Sequence, residues 1–323
     1  MKESIAYANA NIALVKYWGK SNKNLNIPIV PSVSMTLNNF GSTTSIKKNH
    51  EDKLVLNGQH KSDDSFIRVK KFLDYIRKTY SITDHFLIES SNTIPTAAGL
   101  ASSSSAYASI SLAINNLLSL NLDQKNLSIL ARIGSASAAR SITGEISLLY
   151  GGTIKSEEAY SETITNHQFS DLVVLIAVCD EAAKKISSRD GMNNAFSSPF
   201  FNKFVEESHT DFKEALRAIK TGDFITLAQI TQYSTLKMHS VMWTSNPCIN
   251  YWLPKSLEVV KKVQEIQEEL GFICFFTLDA GPNVKIFCQE KNRDLIKKEI
   301  LKVISVTNLL ESTMGGKGYV KNL

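Results

Sequence analysis

Four features of this 323-residue chain place reactive residue types where packing alone would not choose them. Lys16 lies between Val15 and the aromatic pair Tyr17–Trp18, in a strand-like run where an ammonium is a poor choice. It is either the charged guard of a sheet edge or a fixed cation that offsets developing negative charge. Asp279 stands in LDAGPN, where a strand-like run meets a turn. Such an Asp caps the turn or presents a fixed carboxylate for acid–base work. Arg140 closes GSASAAR, and its guanidinium suits a surface ion pair or a carboxylate held by two parallel hydrogen bonds. The fourth feature is IPTAAGLASSSSA, residues 94–106, directly ahead of an apolar helical pattern.

A flexible linker should not lead straight into a well-patterned helix. Ser102–Ser105 sit at the helix start, where free N–H groups and the positive end of the helix dipole attract anions. Gly99 lets the backbone approach closely, and Ala97, Ala98 and Ala101 leave room for a phosphate. The serine hydroxyls can add hydrogen bonds or a Mg²⁺ ligand. Helix capping and phosphate binding both fit these residues. The P-loop pattern GxxxxGK[ST] does not occur in the chain.

The elements that must position these groups are legible in outline. ESIAYANANIALV and TTSIKK read as strands, with a turn at Asn49–Asp52. From Asp64, the residues Phe66, Val69, Phe72, Leu73 and Ile76 share one helical face. FLIESS reads as a strand before the serine stretch. After it, Ile110, Ala113, Ile114 and Leu117 give an amphipathic helix. Another helix is predicted from about Asp123 to Gly134, continuing towards Arg140. DLVVLIAVC opens a second core, followed by helices in DFKEALRAIKTGD and FITLAQITQYSTLKMHSVM. Leu257, Val260, Val263 and Ile266 form a further stripe ended by Gly271. FICFFTL and VKIFC are strands joined by DAGPN. This alternation has no regular βαβ period, so we expect an α+β fold, with one domain at 1–170 and a second at 171–323. The terminal GGKG, residues 315–318, reads as a flexible tail.

Composition excludes several classes. The chain is 43% apolar and 21% charged, which argues against disorder. A net charge of +5 without a dense basic stripe argues against a nucleic-acid partner. The longest apolar run, Leu172 to Cys179, is too short to cross a bilayer, and the N-terminus carries no apolar signal core, so a cytoplasmic enzyme is expected. Cys179, Cys248, Cys274 and Cys288 form no CxxC pair and read as reduced thiols rather than a zinc site.

The spacing P-x-x-x-G-L-x-S-S resembles the nucleotide-binding motif of the galactokinase, homoserine kinase, mevalonate kinase and phosphomevalonate kinase (GHMP) superfamily, whose loop wraps the phosphates of ATP. NANIALVKYWGK, from Asn9 to Lys20, resembles the N-terminal signature of the diphosphomevalonate decarboxylases. PSVSMTL (31–37), GSASAARS (134–141), SSRDGM (187–192), MHSVM (238–242) and DAGPN (279–283) match in the same order. The resemblance runs from about residue 5 to 290.

It implies a two-domain GHMP-kinase-like enzyme, usually homodimeric. A domain resembling ribosomal protein S5 domain 2 would pack on a ferredoxin-like domain, with the active site between them. The implied reaction converts mevalonate 5-diphosphate and ATP, with Mg²⁺, to isopentenyl diphosphate, CO₂, ADP and phosphate. By resemblance Asp279 removes or orients the 3-hydroxyl proton, Arg140 holds the substrate carboxylate, and Lys16 stands near the transferring phosphoryl group. Tyr17, Lys20, Ser188 and Arg189 would anchor the diphosphate, and Ser135 and Ser137 would bind substrate near Arg140. Pro95, Gly99, Leu100, Ala101, Ser102, Ser103 and Ser104 would cradle ATP, with Ser102 a Mg²⁺ ligand. Trp18 reads as packing, and His239 as a core histidine.

Two departures from the family pattern stand out. Ala136 and Ala139 replace residues of a GSGSACR-like motif, and Ala136 lacks the freedom of glycine. About seven extra residues, Thr143 to Leu149, precede YGG and place Glu145 near the carboxylate site. Rival readings are a mevalonate 5-phosphate decarboxylase, a 3-hydroxyl kinase without decarboxylation, and an RNA-associated binding module.

Overall fold

The structure, a computed structural model, describes residues 3–93, 102–164, 167–180, 186–303 and 308–322. The first half holds β1 (Glu3–Val15), β2 (Lys20–Asn22), β3 (Ile27–Pro28), β4 (Ser32–Asn49), β5 (Lys53–Leu56), β6 (Gln59–Lys61), α1 (Asp64–Tyr80) and β7 (His85–Asn92). It continues with α2 (Ser102–Leu117), α3 (Gln124–Gly134), α4 (Ala138–Thr143), β8 (Ile146–Leu149) and β9 (Ser161–Thr163). The second half holds β10 (Leu172–Val178), α5 (Ser188–Asn194), α6 (Phe201–Thr221), α7 (Phe224–Trp243), α8 (Pro254–Leu270), β11 (Cys274–Thr277), β12 (Val284–Gln289), α9 (Arg293–Ile300), β13 (Asn308–Thr313) and β14 (Tyr319–Lys321).

The strands form two main sheets, as the α+β reading expects. In one, β14, β1, β4, β7, β5 and β6 lie side by side, and β8 joins the first part of β4 with β9 beyond it. In the other, the order is β11-β12-β10-β13. The long strand β1 serves two cores. Ala6 and Ala8 face a core built with α1, α2 and α3. Further along, Ile12, Leu14 and Val15 enter a core shared with β4, β10, α6, α7 and β12. This shared core fixes the end of β1 against the second sheet. There the Lys16 N–H donates to Ser234 Oγ of α7 at 2.8 Å, and Thr235 of α7 bonds Thr277 of β11 at 2.8 Å.

Three local expectations are corrected. The helix expected to run on to Arg140 ends at Gly134, and α4 starts anew at Ala138. A Cβ at Gly134 would sit 2.1 Å from the Tyr107 ring, so glycine there lets α3 lie against α2. Ser135 is then extended, with φ −155°. The GGKG stretch is a packed seam rather than a tail. Gly315 donates to Thr36 O and accepts from the Glu145 N–H, both at 2.8 Å, and a Cβ on it would lie 2.1 Å from Leu37 O. Third, Thr143–Leu149 is the end of α4 followed by a core strand. It turns through Gly144 (φ 76°) and Glu145 (φ 52°), which leaves Glu145 exposed and tied to the seam. No described helix is long and apolar enough to cross a membrane.

Candidate active site

A cleft of about 380 Å³ opens between the two halves, a volume within the usual range for small-molecule sites. Lys16, Tyr17, Lys20, Ser102, Ser103, Ser135, Ser137, Arg140, Ser188, Arg189 and Asp279 all line it. Ser104 is fully buried inside α2 and is not among the lining residues. Pro95, Gly99, Leu100 and Ala101 lie outside the described residues. Glu145 is not among the lining residues, so its charge is carried away from the cleft. Trp18 packs, as expected: it is 2% exposed and its ring fills the space a Cβ on Gly191 would need.

At one wall, the turn after β11 presents Asp279. The turn is held from behind. Asn283 Oδ1 accepts from the N–H groups of Cys179 and Asp180 at 2.8 and 3.1 Å, and Ser256 donates to Pro282 O at 2.6 Å. Asn283 is 1% exposed and Cys179 is buried, so Asn283→Ala strands the Cys179 N–H out of reach of water and removes the partner of the Asp180 N–H. We expect that variant to lose roughly 2 kcal/mol of stability, read as a shift of the urea midpoint. An unchanged midpoint would show that the turn does not depend on this side chain.

The Lys16 ammonium meets Asp279 Oδ1 at 2.5 Å, and Lys285 stands 3.4 Å from Oδ2. Burial pushes Lys16 down to about 8. The neighbouring Lys285 and Arg140 cations add to the fall, and Asp279 opposes it. Burial likewise brings Lys20 down to about 8, helped by Arg189 and Lys23. His239, on α7, is driven to about 3 by burial and then by Lys16, so it is neutral at working pH. Its ring packs edge-on to Trp252 at 5.3 Å, which fits the core role expected of it.

Arg140 is 2% exposed and is held by neutral groups. It donates to Ser34 Oγ at 2.8 Å, Ser32 Oγ at 2.6 Å and Asn11 Oδ1 at 3.2 Å. Its guanidinium lies 5.7 Å from the Tyr17 ring centre, and burial lowers its pKa. It forms no ion pair among the described residues. A buried cation without a counter-ion is costly, so this one is poised for an anion that enters the cleft. The loop ahead of it continues the polar wall: Ser135 Oγ lies 3.3 Å from Ser137 Oγ and 3.4 Å from Ser103 Oγ at the start of α2. Ala136 is buried and is not among the residues of positive φ, so the loop accepts alanine without strain.

Sequence reasoning missed several groups. Asn11, Ser32 and Ser34 lie within NANIALVKYWGK and PSVSMTL, but nothing in their residue types set them apart as partners of Arg140, because neutral polar residues in strands are common. Arg68 of α1 lines the cleft but reads as an ordinary exposed helix residue. Lys285 did carry a signal: it lies between Val284 and Ile286, just as Lys16 follows Val15.

The residues fit ATP and Mg²⁺. The start of α2, with Ser102 and Ser103, faces the cleft alongside Lys20, Arg68 and Arg189. No group of three or more His, Cys, Asp or Glu able to hold a metal occurs among the described residues. A Mg²⁺ ion would therefore share a hydroxyl such as that of Ser102 with nucleotide phosphates and water.

An α+β chain with this two-half architecture and an anion-facing helix start belongs to the GHMP-kinase fold class. Its finer placement follows from three kinds of match. Residues 8–161 match the diphosphomevalonate decarboxylase-like N-terminal domain, and residues 174–321 match the mevalonate 5-diphosphate decarboxylase C-terminal domain. The diphosphomevalonate decarboxylase of Candida albicans is 33% identical over 310 residues, covering 90% of this chain and 85% of that protein. Mevalonate diphosphate decarboxylase from Staphylococcus aureus superposes with a TM-score of 0.94 at 36% identity, covering 99% of this chain and 98% of that one. A solved complex with MVAPP, AMPPCP and magnesium does the same at 0.94 and 36%, covering 99% of each chain. The chain belongs to the diphosphomevalonate decarboxylase family.

Proposed function

We propose that the chain catalyses the ATP-dependent decarboxylation of mevalonate 5-diphosphate to isopentenyl diphosphate, releasing CO₂, ADP and phosphate. The observation that carries this reading is the buried Arg140, held only by neutral hydrogen-bond partners and facing the same cleft as the Lys16–Asp279 pair. The complex of its relative with MVAPP, AMPPCP and magnesium supports the choice of substrates.

The substrate is a 3-hydroxy acid with no carbonyl to receive the electrons left by CO₂. The C3 oxygen must therefore depart, and ATP supplies the phosphoryl group that makes it a leaving group. Asp279 takes the 3-hydroxyl proton as that oxygen attacks the γ-phosphorus. The Lys16 ammonium offsets charge on the transferring group. Arg140 holds the substrate carboxylate in two parallel hydrogen bonds, with Ser135 and Ser137 beside it. Phosphate leaves C3, the C1–C2 bond breaks to release CO₂, and its electron pair forms the C2–C3 double bond. Tyr17, Lys20, Ser188 and Arg189 anchor the diphosphate. Ser102 and Ser103 would hold the nucleotide at the start of α2, and Ser102 would offer its hydroxyl to Mg²⁺.

Mevalonate, its 5-phosphate and its 5-diphosphate should be offered with Mg-ATP, and ADP release followed. Turnover of the 5-diphosphate alone is expected. Faster turnover of the 5-phosphate would refute the substrate assignment.

The pH dependence follows from the two lysines. For the free enzyme, kcat/KM should fall as pH rises through about 8, because Lys16 and Lys20 both lose their charge there. The limiting slope of log kcat/KM should approach about −2 and return to about −1 in Lys20→Met. No inflection should appear near 6.5, the ordinary histidine value, since His239 stays neutral down to about 3. An inflection there that His239→Asn abolishes would contradict this assignment.

We further infer a domain division near residue 170, with β14 returning to the first sheet. We also infer a cytoplasmic location and a homodimer, which light scattering of the purified chain would test.

A further inference from the structure

Two lysines face Asp279, and they differ in place. Lys16 lines the cleft and meets Oδ1. Lys285 is 0% exposed, is not among the lining residues, and stands 3.4 Å from Oδ2. It projects from β12, between β10 and β11, in register with Ile176 and Thr277. Its Nζ has no aligned hydrogen-bond partner among the described residues, so the ion pair to Asp279 is the compensation seen for its burial. A fold needs no such group. An apolar side chain of similar length would pack between Val284 and Ile286, and Asp279 would not be stranded, because it is 26% exposed and keeps its ion pair with Lys16.

We infer that Lys285 is a positioning residue for the reaction: it holds the far oxygen of the Asp279 carboxylate, keeping it ionised and aimed while Lys16 turns to the phosphoryl group. The geometry explains the pairing. The cation on the cleft side is needed by an incoming anion. When that anion arrives, Lys16 is shared, and its hold on the carboxylate weakens at the moment the carboxylate must take a proton. A second cation that substrate cannot reach removes this conflict. Other charged or titratable groups also act on Asp279: Arg140 from α4, Tyr17 beyond β1 and His239 from α7. Burial keeps His239 neutral and Tyr17 protonated, and Arg140 is the cation assigned to the substrate carboxylate. Lys285 is thus the cation left to this task.

The inference rests on Asp279 acting as the base, so Lys285→Met and Lys285→Gln are measured beside Asp279→Asn. In both Lys285 variants kcat should fall about 10- to 100-fold, the scale expected of a charge acting through the base. KM for ATP and for the diphosphate should stay within about threefold, since neither substrate touches Lys285. The acid limb of kcat should move up by about one pH unit, because a carboxylate that loses a cation at this distance protonates more readily. The thermal midpoint of Lys285→Met should hold or rise. If kcat and its acid limb match wild type in either folded variant, the inference is wrong. The same holds if KM and kcat worsen together with a lowered midpoint, or if neither variant folds, because the lysine would then be serving the fold. If Asp279→Asn itself turns over normally, the underlying assignment of the base fails instead.

Discussion

Asp279→Asn protein should turn over about 10²–10⁴-fold more slowly than wild type, the usual contribution of a positioned general base. The amide keeps the shape of the carboxylate and occupies the same turn, but it cannot accept the 3-hydroxyl proton. ATP affinity should be unchanged, because the nucleotide groups at Ser102 and Ser103 lie on another element, α2. The substitution also leaves the buried Lys16 and Lys285 ammoniums without their shared counter-ion. A loss of roughly 1–3 kcal/mol in stability should accompany the loss of activity. ADP release and calorimetric titration with ATP read the two properties separately. Turnover within tenfold of wild type would remove Asp279 from the reaction.

Arg140→Gln should show a different pattern. The shorter amide cannot reach a carboxylate with two parallel hydrogen bonds. Charge-assisted bonds contribute roughly 1.5–3 kcal/mol each, so losing two lowers kcat/KM by about 10²–10⁴-fold. Arg140→Lys should recover little, because an ammonium lacks the planar fork. Stability should move the other way from the Asp279 variant. Arg140 has no ion-pair partner among the described residues, so its removal relieves an uncompensated buried charge. The thermal midpoint should hold or rise even though Asn11, Ser32 and Ser34 lose their donor. A large fall in midpoint with kcat/KM preserved would make Arg140 a structural residue.

The elements with strong periodicity were legible in the sequence. β1, α1 and α8 form where alternation or a helical stripe predicts them, and Gly271 caps α8. Lys16 and Asp279 could each be singled out because a charge beside apolar neighbours, or a carboxylate at a strand end, is locally unusual. That they meet was not legible from spacing. They are 263 residues apart, and only the shared core between the two sheets brings them together. The break before α4 was missed because nothing local marks Ser135 as extended, and the close packing of Gly134 on the Tyr107 ring just before it is a contact between two helices. The GGKG seam misled for a related reason. Gly315 is needed for close approach to β4 and Gly318 for approach to Leu112 of α2, whereas glycine-rich sequence by itself reads as looseness. Glu145 is near Arg140 in sequence yet points away, since the turn through Gly144 reverses the chain. The motifs holding Asn11, Ser32 and Ser34 were legible, but their role as a neutral ring around Arg140 was not: it is recognisable only from what they surround.

The most direct test of the account follows ADP and carboxyl-labelled CO₂ together, using wild-type protein, Mg-ATP and mevalonate 5-diphosphate. Equal amounts of the two products, appearing with the same time course, are predicted if phosphorylation of the 3-hydroxyl leads to loss of the carboxylate held at Arg140. ADP formed without CO₂ would contradict it, leaving a kinase whose buried guanidinium has some other anion to bind.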